Sequence, residues 1–115
     1  ISSGVAAKAG SSFFFAAGVG PTVEGDMKTQ ALSALETLKG RLAAAGLSFK
    51  DVTFLRAYVV PDATGAVDRT GWGEAYTTFF NNKEQPHKPA RTTIAVHSLP
   101  RPQWKIEIDA IAVGP

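Results

Sequence analysis

The sequence predicts an α+β fold, with two helices packed on one face of a mixed sheet in the order β-β-α-β-α-β-β. Three observations carry this. Two segments step their apolar residues by three and four, several runs of apolar or β-branched residues are bounded by Gly and Pro, and the C-terminal segment alternates with period two. At 115 residues the chain is expected to form a single domain, residues 1–115. A hydrophobic share of 44% against 19% charged residues places it among globular proteins and not disordered ones.

Taken in order, Ile1 to Ala9 reads as an edge strand closed by a turn at Gly10-Ser11-Ser12. Phe13 to Ala17 is an unbroken apolar run, the pattern of a strand buried on both faces, and Gly18-Val19-Gly20-Pro21 ends it. Asp26 is placed to cap a helix whose stripe is Met27, Ala31, Leu35, Leu38, Leu42 and Ala45, with Gly46 at its C-terminal stop. Val52 to Val60 is rich in β-branched and aromatic residues and reads as a strand ending at Pro61, followed by a turn over Asp62 to Gly65. Asp68 can cap a second helix, in which Trp72, Ala75, Tyr76 and Phe79 share a face expected to pack in the core. Asn81 to Pro89 is a polar loop.

From Trp104 the alternation sets Trp104, Ile106, Ile108, Ala110 and Ala112 on one face and Lys105, Glu107 and Asp109 on the other. In the preceding strand Arg91, Thr93, Ala95 and His97 share a face. Pairing the two as an antiparallel hairpin centred near Pro100 puts Thr93 opposite Glu107 and Arg91 opposite Asp109. Arg91 and Glu107 then become diagonal neighbours, roughly 7–8 Å apart. Such charges can be a plain surface ion pair or the walls of a small-molecule site, and spacing alone leaves both open. With both helices on one side, the other sheet face is apolar and uncovered, which predicts association with further copies.

The chain carries a net charge of +2 with its twelve cations spread along it, giving little support to nucleic acid or anionic membranes as partners. It has no cysteine, so disulfides, thiol nucleophiles and thiolate metal sites are excluded. No apolar run approaches the roughly 18 residues of a membrane span. A cytoplasmic protein is expected, although a start at Ile1 leaves room for a removed targeting peptide. The two histidines, His87 and His97, form no recognisable metal set, and Ser11-Ser12 lacks the setting of an activated nucleophile. Trp104 is expected at an interface or in the core.

Pro89-Ala90-Arg91, the Leu99-Pro100 pair and the run I-E-I-D-A-I-A-V over 106–113 resemble the C-terminal signature of the RidA/YjgF family of reactive intermediate deaminases, also described as endoribonuclease L-PSP. F-F-F-A-A-G-V-G-P, A-A-A-G-L-S-F-K-D-V and A-Y-T-T-F-F resemble its first strand, first-helix end and second helix, so the likeness spans nearly the whole chain. It implies a chorismate-mutase-like fold and homotrimers with clefts between subunits. It also implies cofactor-independent hydrolysis of small 2-imino or enamine acids, such as 2-iminobutyrate or 2-iminopropionate, to 2-oxo acids and ammonia. On this resemblance Arg91 binds the substrate carboxylate, Glu107 holds or activates water, and Gly18 and Thr93 line the pocket; no cofactor and no metal are implied. A guanidinium fork takes a carboxylate bidentately, and an imine carbon is electrophilic enough to need only placement and modest acid–base help.

The chain departs from the family pattern at Thr93, where a cysteine is typical, at Ala17-Gly18-Val19 in place of Ser-Gly-Gln, at Ile1 or its neighbour in place of a tyrosine, and at Gly73 in place of a polar residue. These changes keep a second reading in view, a non-catalytic trimer that binds a small carboxylate as a regulator. A ribonuclease using His87 and His97 is a third, and it lacks the aromatic and basic groove that RNA binding asks for.

Overall fold

The computed structural model describes residues 1–114; Pro115, the last residue of the expected domain, lies outside the described residues. The first apolar stripe forms helix α1, Met27–Ala44. Asp26 caps it, its carboxylate accepting the Thr29 N–H at 2.9 Å. At the other end Gly46 takes φ +77°, a conformation costly for any residue with a side chain. The Gly46 and Leu47 N–H groups then donate to the carbonyls of Ala43 and Leu42. Ala31, Ala34, Leu35, Leu38 and Leu42 are wholly buried, each leucine contributing about 1.5–3 kcal/mol of apolar burial.

Strand β1 spans Ser12–Val19, β2 spans Val52–Val59, helix α2 spans Arg69–Phe79, β3 spans Ala90–Ala95 and β4 spans Ile106–Gly114. Helix α2 holds Gly71 and Gly73 and is a weak helix by propensity. Its Asp68 cap, which accepts the Gly71 N–H at 2.8 Å, and its packed Trp72, Ala75 and Tyr76 compensate. The sheet order is β1-β4-β2-β3. Strand β4 runs antiparallel to both neighbours, and β2 and β3 are parallel. The α2 crossover supplies the long connection that a parallel pair needs. Among the described residues no helix is long and apolar enough to cross a membrane.

Two expectations from the sequence need correction. Ile1 to Ala9 forms no strand; Ser2 makes a single parallel bridge to Ala90. Only Ile1 and Val5 supply large apolar side chains there, too few to bury a face. The C-terminal hairpin does not form either. Strand β4 inserts between β1 and β2, and β3 goes to the edge beside β2. Burial of the alternating apolar face of β4 is most complete at the sheet's centre: Ile106, Ile108 and Ala112 are fully enclosed. A connection carrying Pro100 and Pro102 is also poorly suited to a tight hairpin turn.

Among the described residues the sheet face away from the helices stays uncovered. Phe13 is 57% exposed, Phe15 70% and Ile94 42%, so the run over 13–17 is buried on one side only. Asp26 gives a direct check on the cap. The Thr29 backbone N–H, and then its side chain, hold the Asp26 carboxyl below the ordinary value of 3.8. A depressed carboxyl stabilises the fold above that value and loses the contribution as pH falls through its native pKa. Asp26→Ala is therefore expected to lower the melting temperature by roughly a few degrees at neutral pH, with the gap closing in melts well below pH 3.8. A gap that persists unchanged in acid would contradict the cap's role.

Candidate active site

Alternation in β4 sends Glu107 and Asp109 to the uncovered face, and the neighbouring strands treat them differently. Arg56 of β2 stands directly across from Asp109. It grips that carboxylate with Nε to Oδ1 at 2.9 Å and a second guanidinium N–H to Oδ2 at 3.0 Å. The Tyr58 hydroxyl donates to Oδ2 at 3.1 Å. The bond to Asp109 raises the Arg56 pKa, and burial, with Asp109 second, raises that of Tyr58, so both remain donors. Asp109 is thus neutralised. Glu107, paired in register with Tyr58, has no ion-pair or hydrogen-bond partner for its carboxylate among the described residues.

The Glu107 carboxylate lies over Gly18. Strand β1 bulges between Ala16 and Val19, bringing the Gly18 backbone so close that a Cβ there would stand 2.2 Å from Glu107 Oε2. A glycine at this point is a requirement of the carboxylate's position.

Arg91 sits on the opposite side of the sheet. In register it pairs with Leu55, which in turn pairs with Ala110, and both of those face the helices. The expected apposition of Arg91 with Asp109 and Thr93 with Glu107 does not occur, because β2 lies between the strands that carry them. Arg91 Cζ instead lies 4.5 Å from the Tyr76 ring centroid and 5.5 Å from that of Trp72. It is half-buried and has no carboxylate partner among the described residues. Thr93, two residues along the same edge strand, accepts the Trp72 Nε1–H at 3.0 Å. The Tyr76 hydroxyl is buried without a partner among the described residues; burial raises its pKa and the Arg91 charge partly offsets this.

The expected core role of Trp72 and Tyr76 holds, since each is 2% exposed, but their contact with Arg91 leaves no local signal in the sequence. Arg56 does leave one, because a lone cation inside an apolar strand signals a partner. His87 Nε2–H donates to the Val52 carbonyl at 2.5 Å and is structural, whereas His97 is exposed. Trp104 packs, half-buried, on Gly20. No cluster suited to a metal occurs among the described residues. A cavity of about 510 Å³ lies between the start of α1 and the loop before β4, and it contains neither Arg91 nor Glu107. Its aspartates are already engaged, Asp26 and Asp68 in helix caps and Asp62 with Thr64 and Ala66. On the sheet, the groups left free for chemistry are the Arg91 guanidinium and the Glu107 carboxylate.

Two helices against one face of a four-stranded mixed sheet, in this strand order, define the chorismate-mutase-like α+β class. Residues 4–114 match the model of the family described as Endoribonuclease L-PSP, and the chain belongs to that family, the RidA/YjgF proteins. It is 40% identical to the protein DfrA of Myxococcus xanthus over 92 residues, 80% of this chain and 63% of DfrA. It is 35% identical to a RutC family protein of Pyrococcus horikoshii over 113 residues, 93% of this chain and 82% of that one. Against TdcF of Escherichia coli, named as a candidate reactive intermediate deaminase, identity is 33% over 79% of this chain and 66% of TdcF. The chain therefore spans about two-thirds or less of the length of DfrA and TdcF. Among solved structures, E. coli TdcF with bound serine superposes with TM-score 0.77 at 30% identity, covering 95% of this chain and 85% of TdcF. Rv2704 of Mycobacterium tuberculosis, a YjgF/YER057c/UK114 family member, gives 0.74 at 26%, covering 87% and 77%.

The Gly18–Glu107 contact is testable by itself. Gly18→Ala meets the mobile end of a side chain and not backbone, so the fold is expected to survive with a melting temperature near that of the native chain. In a crystal structure of the variant the Glu107 carboxylate is expected to have swung away from the added methyl group. A carboxylate found in its native position there would contradict the steric reading.

Proposed function

We propose that this protein hydrolyses small 2-imino and enamine acids, with 2-iminobutyrate and 2-iminopropionate as the model substrates, to 2-oxo acids and ammonia in clefts formed between its copies. The observation that carries the reading is the pairing of uncommitted groups: Arg91 has a free fork and Glu107 a free carboxylate, while neighbouring Asp109 is spent on Arg56 and Tyr58. Because the two lie on opposite faces of one sheet, the reading needs Arg91 of one subunit to approach Glu107 of the next. The exposed Phe13, Phe15 and Ile94 supply an apolar face for that contact, and a homotrimer is the assembly proposed.

In this scheme Arg91 binds the substrate carboxylate bidentately and fixes the plane of the C=N group. Thr93 and the Gly18 backbone line the cleft. Glu107 accepts a proton from water as the water oxygen bonds to the imine carbon, and the C=N π pair moves to nitrogen, which takes a proton. The carbinolamine then collapses: its hydroxyl proton passes to nitrogen through the Glu107 carboxyl, the C–N bond breaks, ammonia leaves and the oxygen becomes the ketone oxygen. Imine and water are consumed, and 2-oxo acid and ammonia are formed. No cofactor enters the scheme. The bound serine of TdcF, a small molecule bearing a carboxylate, supports the ligand class.

A second reading, carboxylate binding without turnover, is favoured by one feature: nothing among the described residues of a single chain hydrogen-bonds and orients the Glu107 carboxylate. A histidine-pair ribonuclease has no comparable support, since His87 is tied to the Val52 carbonyl.

The deciding assay generates 2-aminoacrylate or 2-iminobutyrate in situ with a dehydratase and follows imine loss. Acceleration by this protein is expected. Arg91→Ala should lower kcat/KM by at least about 30-fold through the lost charge pairing. Glu107→Gln should lower kcat by roughly 100-fold or more. Calorimetric binding of 2-oxobutyrate with no imine turnover would establish the second reading in its place.

A further inference from the structure

A guanidinium at the edge of a sheet ordinarily samples many rotamers, and a carboxylate partner would fix it only by occupying its donors. Arg91 is fixed another way. Its Cζ lies 4.5 Å from the Tyr76 centroid and 5.5 Å from the Trp72 centroid, and these rings stand one helical turn apart on a single face of α2. Aromatic faces attract the cation through their quadrupole and use none of its N–H groups. The fork is therefore held in place and left open.

Trp72 is itself anchored. It is 2% exposed, its ring meets Tyr76 edge-on at 5.7 Å between centroids, and its Nε1–H donates to Thr93 Oγ1 at 3.0 Å. Thr93 shares a strand face with Arg91, so the indole joins helix and edge strand at the two residues that flank the proposed cleft. The indole supplies the face that meets Arg91 and, through its N–H, one further bond to Thr93 that a phenylalanine would lack.

We propose that Trp72 is a positioning residue of this site: its indole face sets the plane of the Arg91 guanidinium, and its bond to Thr93 keeps α2 and β3 in register beneath the bound acid. This rests on Arg91 being the carboxylate anchor, and the test separates the two claims. Trp72 and Trp104 are the two tryptophans of the chain, so Trp104→Phe leaves Trp72 as the sole indole emitter. In that background 2-oxobutyrate is expected to change the emission saturably, and Arg91→Ala is expected to abolish the change.

In imine turnover, Trp72→Leu is expected to raise KM roughly 3- to 30-fold, the span of a cation–π contact, with kcat within about two-fold. Trp72→Phe, which restores a face, is expected to recover most of that loss. If Arg91→Ala raises KM while Trp72→Leu and Trp72→Phe both match the native chain, the positioning role is overturned and the anchor stands. Equal damage from Leu and Phe also overturns it, because the face is then not the agent. If Arg91→Ala leaves KM unchanged, the anchor itself falls. Should the leucine variant fail to fold, Trp72→Met, which also lacks a face, takes its place in the same KM comparison with Trp72→Phe.

Discussion

The arrangement depends on β4 lying between β1 and β2, with its backbone paired on both sides. A strand in that position must give one face to the core. Ile106, Ile108, Ala110 and Ala112 do so, and the period of two then forces Glu107 and Asp109 onto the opposite face. Burial of four apolar side chains thereby fixes where two carboxylates emerge. Arg56 and Tyr58 on β2 silence the second and leave the first free.

The same constraint displaces β3. With both sides of β4 taken, the strand carrying Arg91 pairs with the remaining side of β2, in parallel, and its odd residues turn toward α2. The proposed anion-binding and acid–base groups are therefore split between the two faces of one sheet. The aromatic pair on α2 makes this separation workable, since it holds a cation without a counter-carboxylate. The exposed phenylalanines of β1 lie on the Glu107 face, so the surface that would meet another copy also carries the carboxylate.

Much of this is legible in the sequence. Asp26, Asp68 and Gly46 mark helix ends through local capping chemistry, and the stripes of α1 and α2 announce their buried faces. The alternation from Ile106 assigns the two faces of β4 correctly. Strand partners are not legible, because periodicity says which way a side chain points and nothing about which strand lies beside it. Arg91 and Glu107 stand out as residues and are misplaced relative to each other for that reason. The Arg56–Asp109 pair, 53 positions apart, is hidden by the same gap, and Trp72 looks only like core because a helix stripe does not disclose what crosses its rim.

A site shared between copies has a consequence that a site within one chain does not. Co-expressing Arg91→Ala and Glu107→Gln subunits produces mixed assemblies in which some interfaces join an intact Arg91 to an intact Glu107. With random mixing in a ring, about a quarter of interfaces carry both, so each variant should be nearly inactive alone and the mixture should regain about a quarter of native imine turnover. A mixture as inactive as its components would contradict a cleft built from two subunits.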